Sequence, residues 1–96
     1  MELKHKDNAE KGSFKLKDGD FLVAEISYVW SNDELIIIDH TGVNSLYEGK
    51  GFGKQLVEET VNFARSRGIK ILPLCPFAKL IFDRTDKFDD VRFLRQ

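Results

Sequence analysis

Residues 47–56, Tyr47-Glu48-Gly49-Lys50-Gly51-Phe52-Gly53-Lys54-Gln55-Leu56, set three glycines at alternate positions directly ahead of an amphipathic stretch. Glycine gives up more backbone freedom on ordering than any other residue, so three at one corner imply a local need for bare or sharply bent backbone. Beyond them Phe52, Leu56, Val57, Val61, Phe63 and Ala64 recur at three- and four-residue intervals, and Gly68 is a natural stop. The spacing predicts a helix over Lys54–Arg67. A glycine-rich turn that opens a helix suits an anion. The first helical amides have no internal partner, the helix dipole adds partial positive charge, and the bend lets successive N–H groups converge on one group. Lys50 and Lys54 stand at the rim. The same string also fits a turn that binds nothing and carries two solvated lysines.

Upstream, Leu35–Val43 begins with Leu35, Ile36, Ile37 and Ile38, apolar on both faces, which predicts a central strand covered on both sides. Its end turns polar, Asp39-His40-Thr41-Gly42-Val43, where a site is built or the strand simply emerges into solvent. Phe21–Trp30 puts Leu22, Ala24, Ile26, Tyr28 and Trp30 on one face, with Glu25 and Ser27 on the other. Gly12–Lys17 alternates Phe14 and Leu16 against Lys15 and Lys17, and Leu3–Lys6 is a weaker strand candidate. Asp18-Gly19-Asp20 and Ser31-Asn32-Asp33 are turns. Downstream, Ile69–Cys75 follows a helical crossover, so it should run parallel to the Leu35 strand. Pro76 opens a second helix to about Asp83. A last strand is expected near Val91–Leu94, within the tail Asp86–Gln96. The result is an α/β (α+β) mixed sheet of roughly five or six strands with two helices, one domain over residues 1–96.

Lys and Arg (15) nearly cancel Asp and Glu (16), so no global field draws the protein to nucleic acid or to an anionic membrane. Attraction for an anion has to be local. One cysteine allows no internal disulfide, which fits a reducing compartment. The start, MELKHKDNAEKG, lacks the apolar stretch of a signal peptide, and no apolar run is long enough to cross a bilayer. A soluble, cytoplasmic protein is expected. No Cys/His cluster has zinc spacing and no carboxylate set resembles a calcium loop, so no metal is expected.

The phosphate type narrows by elimination. A Walker loop needs Ser or Thr after Gly53-Lys54, and Gln55 stands there. A dinucleotide fingerprint needs glycine where Leu56 is. The segment Glu48-Gly49-Lys50-Gly51-Phe52-Gly53 instead resembles the phosphate loop of the GNAT superfamily, acyl-CoA-dependent N-acyltransferases, whose pattern is (Gln or Arg)-x-x-Gly-x-(Gly or Ala). Val43–Tyr47 resembles the family's approach to that loop, and Ala78–Phe82, AKLIF, its final helix. The likeness covers about Phe21–Phe82 and extends to a subfamily of very small members with a cysteine ending the fifth strand. It implies a GNAT-like fold with splayed fourth and fifth strands, acetyl-CoA or CoA as ligand, and a diphosphate cradled by Glu48, Gly49, Lys50, Gly51, Phe52, Gly53 and Lys54. It also implies that Thr41, Gly42 and Val43 lie along the pantetheine arm and supply an oxyanion donor. Pro73, which cannot donate to a ladder, agrees with the splay. Two positions depart from the pattern. Glu48 replaces Arg or Gln and opposes an anion, and Phe82 stands where many members carry a proton-donating tyrosine.

Acyl transfer needs a neutral amine, a stabilised oxyanion and a departing thiolate. Cys75, ahead of Pro76, is placed to cap the second helix, which favours its thiolate, and it faces the splay, so it is a candidate nucleophile. Buried cysteine also serves as a small hydrophobe. His40 suits a base or thiolate partner, yet alternation sets it with Ile36 and Ile38, as a core histidine would be. Asp39 and Thr41 face the other way. Glu25 is a further candidate base on a solvated face, and His5 has no visible context. Phe14, Phe21, Trp30, Phe52 and Phe63 have core spacing, and Asp83–Arg92 has the composition of a solvated surface. The resemblance implies an acetyl-CoA-dependent N-acetyltransferase acting on an unidentified small amine, peptide or protein, as a monomer or weak homodimer. A non-catalytic acyl-CoA binding module and an interaction domain that kept the fold are the alternatives.

Overall fold

The computed structural model describes residues 1–94. Five strands form one sheet in chain order: β1 (Glu2–Asp7), β2 (Lys11–Asp18), β3 (Phe21–Asn32), β4 (Leu35–Val43) and β5 (Lys70–Pro73). The first four pair antiparallel. β5 pairs parallel with β4, because α1 (Phe52–Arg67) carries the chain back along the sheet between them. A second helix, α2 (Pro76–Asp83), follows β5 with proline in its first turn. Gly68 ends α1 in the left-handed region, φ 66°, with its N–H toward the Ala64 and Arg65 carbonyls.

Phe14 and Leu16 of β2, Ala24, Ile26 and Tyr28 of β3, Ile36 and Ile38 of β4 and Ile71 of β5 build one buried face. Leu56, Val57, Val61 and Ala64 of α1 and Ala78 and Phe82 of α2 cover it. The two helices touch each other and share this face. At their junction a Cβ on Gly53 would lie 2.7 Å from the Phe77 ring and 3.2 Å from Val43 Cγ2. Among the described residues no helix covers the opposite face, where Lys15, Glu25, Ser27, Val29 and Ile37 are only half-buried. Cover on both sides of β4 is therefore not observed: Ile36 and Ile38 are buried, but Leu35 and Ile37 remain partly exposed.

Two irregularities decide which side chains face the core. Leu16 opposes Ala24 while Lys17 opposes Leu22, so Val23 is an extra residue that turns inward and Leu22 turns out, against expectation. Ser27 opposes His40 while Tyr28 opposes Ile38, leaving Asp39 as the extra residue. Thr41 therefore shares the core face with Ile38, and His40 shares the helix-free face with Ile37. This reverses the simple alternation, which is broken by the bulge.

Phe21 is 64% exposed at the start of β3, not core. Trp30, Phe52 and Phe63 pack partly buried against the core, as their spacing implies. The tail is less solvated than its charges suggest, since Phe88 and Val91 are buried. Arg65 pins it by ion-pairing with Asp90 at 2.8 Å and donating to the Lys87 carbonyl, and Arg92 pairs with Asp83 at 2.7 Å. The strand expected near Val91–Leu94 is reduced to one parallel bridge from Ile71 to Arg92 on the outer edge of β5. Arg95 and Gln96, the last positions of that tail, lie outside the described residues.

Candidate active site

The β4–β5 ladder stops at Ile38 opposite Pro73. The amides of Leu74 and Cys75 both donate to the Ile38 carbonyl, at 3.1 and 3.0 Å, and then the chains part. Asp39–Val43 continues with no partner on that side. The expected splay is present, and proline sits at its fork.

β4 leads straight into the glycine corner. The Asn44 amide donates to the Val23 carbonyl at 2.8 Å, and its side chain caps a short 3-10 turn, Ser45–Tyr47, by accepting from the Leu46 amide at 3.0 Å. Tyr47 then packs edge-on to Phe52. Gly49 and Gly51 take φ of 78° and 83°, left-handed values that strain any residue with a Cβ, and no atom lies within 4 Å of where that Cβ would be. Gly53 serves differently: its backbone is ordinary, and it is bare because Phe77 and Val43 press against it. The first helical bond runs from the Gln55 amide to the Gly51 carbonyl at 3.0 Å. Among the described residues the amides of Gly49–Lys54 donate to no protein acceptor. The helix begins at Phe52, two residues earlier than its spacing predicts. Glu48, Lys50 and Lys54 are all exposed at this corner.

Cys75 caps α2 as expected, 7% exposed, with its thiol 3.5 Å from the Thr41 hydroxyl. Burial pushes the thiol up. The Thr41 hydroxyl and the amides of Ala78, Phe77 and Thr41 outweigh it and hold the pKa below the ordinary thiol value. The sulfur makes no cap hydrogen bond of good geometry, so its gain is electrostatic. Thr41, expected on the other side of the strand, is thus the residue that reaches Cys75. No alternation signal could have found it, because the Asp39 bulge leaves no mark in the apolar pattern.

His40 is not a core histidine and does not meet Cys75. It is exposed on the helix-free face, its Nε2 beside Gly42, and among the described residues its ring makes no hydrogen bond. Glu25 opposes Gly42 on the same face and ion-pairs with Lys15 at 3.5 Å, so it is not simply solvated. Phe82 is 1% exposed, its ring packed against Phe88 and under the Arg92 guanidinium.

Residues 13–91 match the family model described as GCN5-related N-acetyl-transferase. The chain belongs to the GCN5-related N-acetyltransferase family. The general activity of this family is acyl-CoA-dependent N-acetylation, which agrees with a glycine corner placed beside splayed strands. The chain is 33% identical to a GCN5-like candidate N-acetyltransferase from Staphylococcus aureus, covering 98% of this chain and 91% of that one with a TM-score of 0.71. The ribosomal-protein-S18-alanine N-acetyltransferase of Escherichia coli shares the fold at 16% identity and TM-score 0.67, over 81% of this chain and 53% of that one. A GNAT family acetyltransferase from Elizabethkingia anophelis, solved with acetyl-CoA bound, does so at 14% identity and TM-score 0.63, over 78% and 52%. No curated protein sequence matches. The family member described here thus spans about half the length of those two enzymes.

Proposed function

We propose that this protein moves an acetyl group from acetyl-CoA to an amine, through the glycine corner, the free end of β4 and the first turn of α2. One observation carries the reading: six successive amides without protein acceptors stand next to a strand end whose ladder has stopped. The chain's own geometry fits the ligand, since Gly49 and Gly51 bend the backbone and leave its surface bare. Acetyl-CoA supplies an activated thioester carbonyl and a diphosphate. The amides of Gly49–Lys54 bind the diphosphate, and Lys50 and Lys54 add charge. Glu48 opposes it, weakly, because an exposed carboxylate is screened. Thr41, Gly42 and Val43 orient the pantetheine arm with unpaired backbone.

Cys75, as thiolate, takes the acetyl group onto Sγ and displaces CoA as its own thiolate. The amine then attacks the carbonyl carbon, the bond to Sγ breaks, and the Cys75 thiolate returns. His40, on the open side of the splay, accepts the proton the amine loses. Phe82 offers no proton and is buried, so the CoA thiolate is protonated by solvent.

Calorimetric titration with acetyl-CoA tests the site. Gly51→Ala should weaken binding about tenfold, since a left-handed alanine costs roughly 1–2 kcal/mol. No binding by the wild type would remove the reading. Intact-mass measurement after incubation without an amine tests the covalent step. An acetyl adduct absent from Cys75→Ala supports it, whereas turnover without an adduct assigns the transfer to direct attack.

A further inference from the structure

Both helices lie on the core face, so the helix-free face gives an acceptor an unobstructed approach to the splay. The pairing registers draw two rows over that face. His40 opposes Ser27, Ser27 opposes Ser13, and Ser13 opposes Lys6. Beside them Gly42 opposes Glu25, Glu25 opposes Lys15, and Lys15 opposes Lys4. The two serines floor a hollow of about 670 Å³, walled by Lys6, Lys11, Lys15 and Glu25. A smaller groove along Glu25, His40, Gly42 and Asn44 shares Glu25 with it, so the two together form a trough from the free end of β4 to the N-terminal hairpin.

The charges along the trough are uneven. Glu25 is paired with Lys15, Asp39 accepts from Ser27 at 2.7 Å, and Asp7 is held by Tyr28 and Trp30. Among the described residues Lys6 and Lys11 have no acidic partner. Lysines on an edge strand deter strand pairing between molecules, which accounts for Lys4 and Lys6 on β1 but not for Lys11 and Lys15 on β2. A nucleic acid would want free aromatic faces to stack on, and the hollow offers none, the His5 ring being stacked on Phe14.

We propose that the acceptor is an acidic peptide laid along this trough, its amine at His40 and its carboxylates over Lys6 and Lys11. Three strand spacings separate His40 from Lys6, about 14 Å, so the acidic residues fall about four positions from the reactive amine. This substrate class rests on the acetyl transfer proposed above, but the trough can be tested without it.

Two peptides with free N-termini, one with glutamates at positions four and five and the other with lysines there, are titrated into the ¹⁵N-labelled protein without acetyl-CoA. The acidic peptide should shift the amides of Lys6, Ser13, Ser27 and His40, and added salt should reverse the effect. With acetyl-CoA present, thiol release should favour the acidic peptide about tenfold in kcat/KM, and Lys6→Glu/Lys11→Glu should erase that preference while leaving acetyl-CoA affinity unchanged. Equal rates for both peptides, shifts confined to the Leu74 and Phe93 region, or displacement of the peptide by an oligonucleotide of equal charge would each overturn the proposal. If acetyl-CoA fails to bind, the transfer reading falls, and the salt-sensitive shifts alone still decide whether the trough takes acidic peptides.

Discussion

At the scale of single residues, the three glycines separate into two kinds, and each kind predicts its own mutational signature. Gly53 is bare because Phe77 and Val43 crowd it, so Gly53→Ala should destabilise the fold by about 1–3 kcal/mol in urea denaturation. Adding Phe77→Leu should recover most of the loss, whereas the same second change should not rescue Gly51→Ala, whose strain is in the backbone. Equal rescue of both would refute the distinction. The thiol of Cys75 offers a second check. Burial pushes its pKa up, but the Thr41 hydroxyl, the largest of the opposing contributions, together with the amides of Ala78, Phe77 and Thr41 holds it below the ordinary value. The pH midpoint of alkylation by iodoacetamide should therefore rise in Thr41→Val. An unmoved midpoint would show that the α2 amides alone set it. Gly49 and Gly51 could be read from sequence because glycine declares a need for unusual backbone. The partnership of Thr41 with Cys75 could not, because one unpaired residue, Asp39, exchanges the faces of everything after it.

At the scale of elements, β1 shows what apolar patterning misses. Its residues ELKHKD are all at the exposed end of the scale, so alternation had little to report. The strand is held instead by a polar and aromatic cluster: His5 stacks on Phe14 with ring centroids 3.9 Å apart, its Nε2 is 2.8 Å from the Tyr28 hydroxyl, and that hydroxyl donates to Asp7 at 2.5 Å. The Trp30 indole also donates to Asp7, at 2.9 Å. Burial lowers the His5 pKa below 6.5, so between 6.5 and its folded value the unfolded chain binds more protons, and stability falls as pH drops through that window. Burial works against ionisation of Asp7, but donation from Tyr28, Ala9 and Trp30 holds its pKa below 3.8, so its contribution disappears only at lower pH. Burial, and then Asp7, raise the pKa of Tyr28 above 10.0, so its contribution is full below 10.0 and declines at higher pH. Urea midpoints measured from about pH 5 to about pH 11 should therefore form a plateau bounded near 6.5 and 10. Tyr28→Phe should flatten the alkaline decline, and an unchanged slope would remove Tyr28 as its source. The β2–β4 hairpins and the β4–α1–β5 crossover were legible because each buries one apolar face, even though the bulges at Val23 and Asp39 reassign the residues around them. The tail was not, since Phe88 and Val91 sit among charges that resemble a solvated surface.

For the whole molecule, the shortest dimension is 19 Å, about one sheet plus one helix layer at roughly 10 Å each. That thinness is why the helix-free face stays open and why the acyl site and the peptide trough can lie on one continuous surface. Fold class was legible at this scale from the order of strand, glycine corner and helix. The coverage of each face was not, because the apolar run Leu35–Ile38 looks alike whether one side or both are packed. The same layout makes a prediction about ligand response. The glycine corner, the end of β4 and the first turn of α2 lie together at one end of the sheet's strands, while β1 and β2 pair on its far edge. At about a hundredfold excess over its Kd, acetyl-CoA should stabilise the fold by about 2.7 kcal/mol and raise Tm by roughly 10–20 °C. Hydrogen exchange should then separate two populations of amides. The amides of Gly49–Lys54 have no protein acceptor among the described residues and exchange freely until the ligand bonds them, and those of Phe77 and Ala78 lie in the first turn of α2 beside it, so these should slow most. The amides of β1 fray at the opposite edge without disturbing the bound site, and their exchange should barely change. Slowing centred on β1, with the glycine corner unaffected, would place the ligand elsewhere and remove the diphosphate site from the corner.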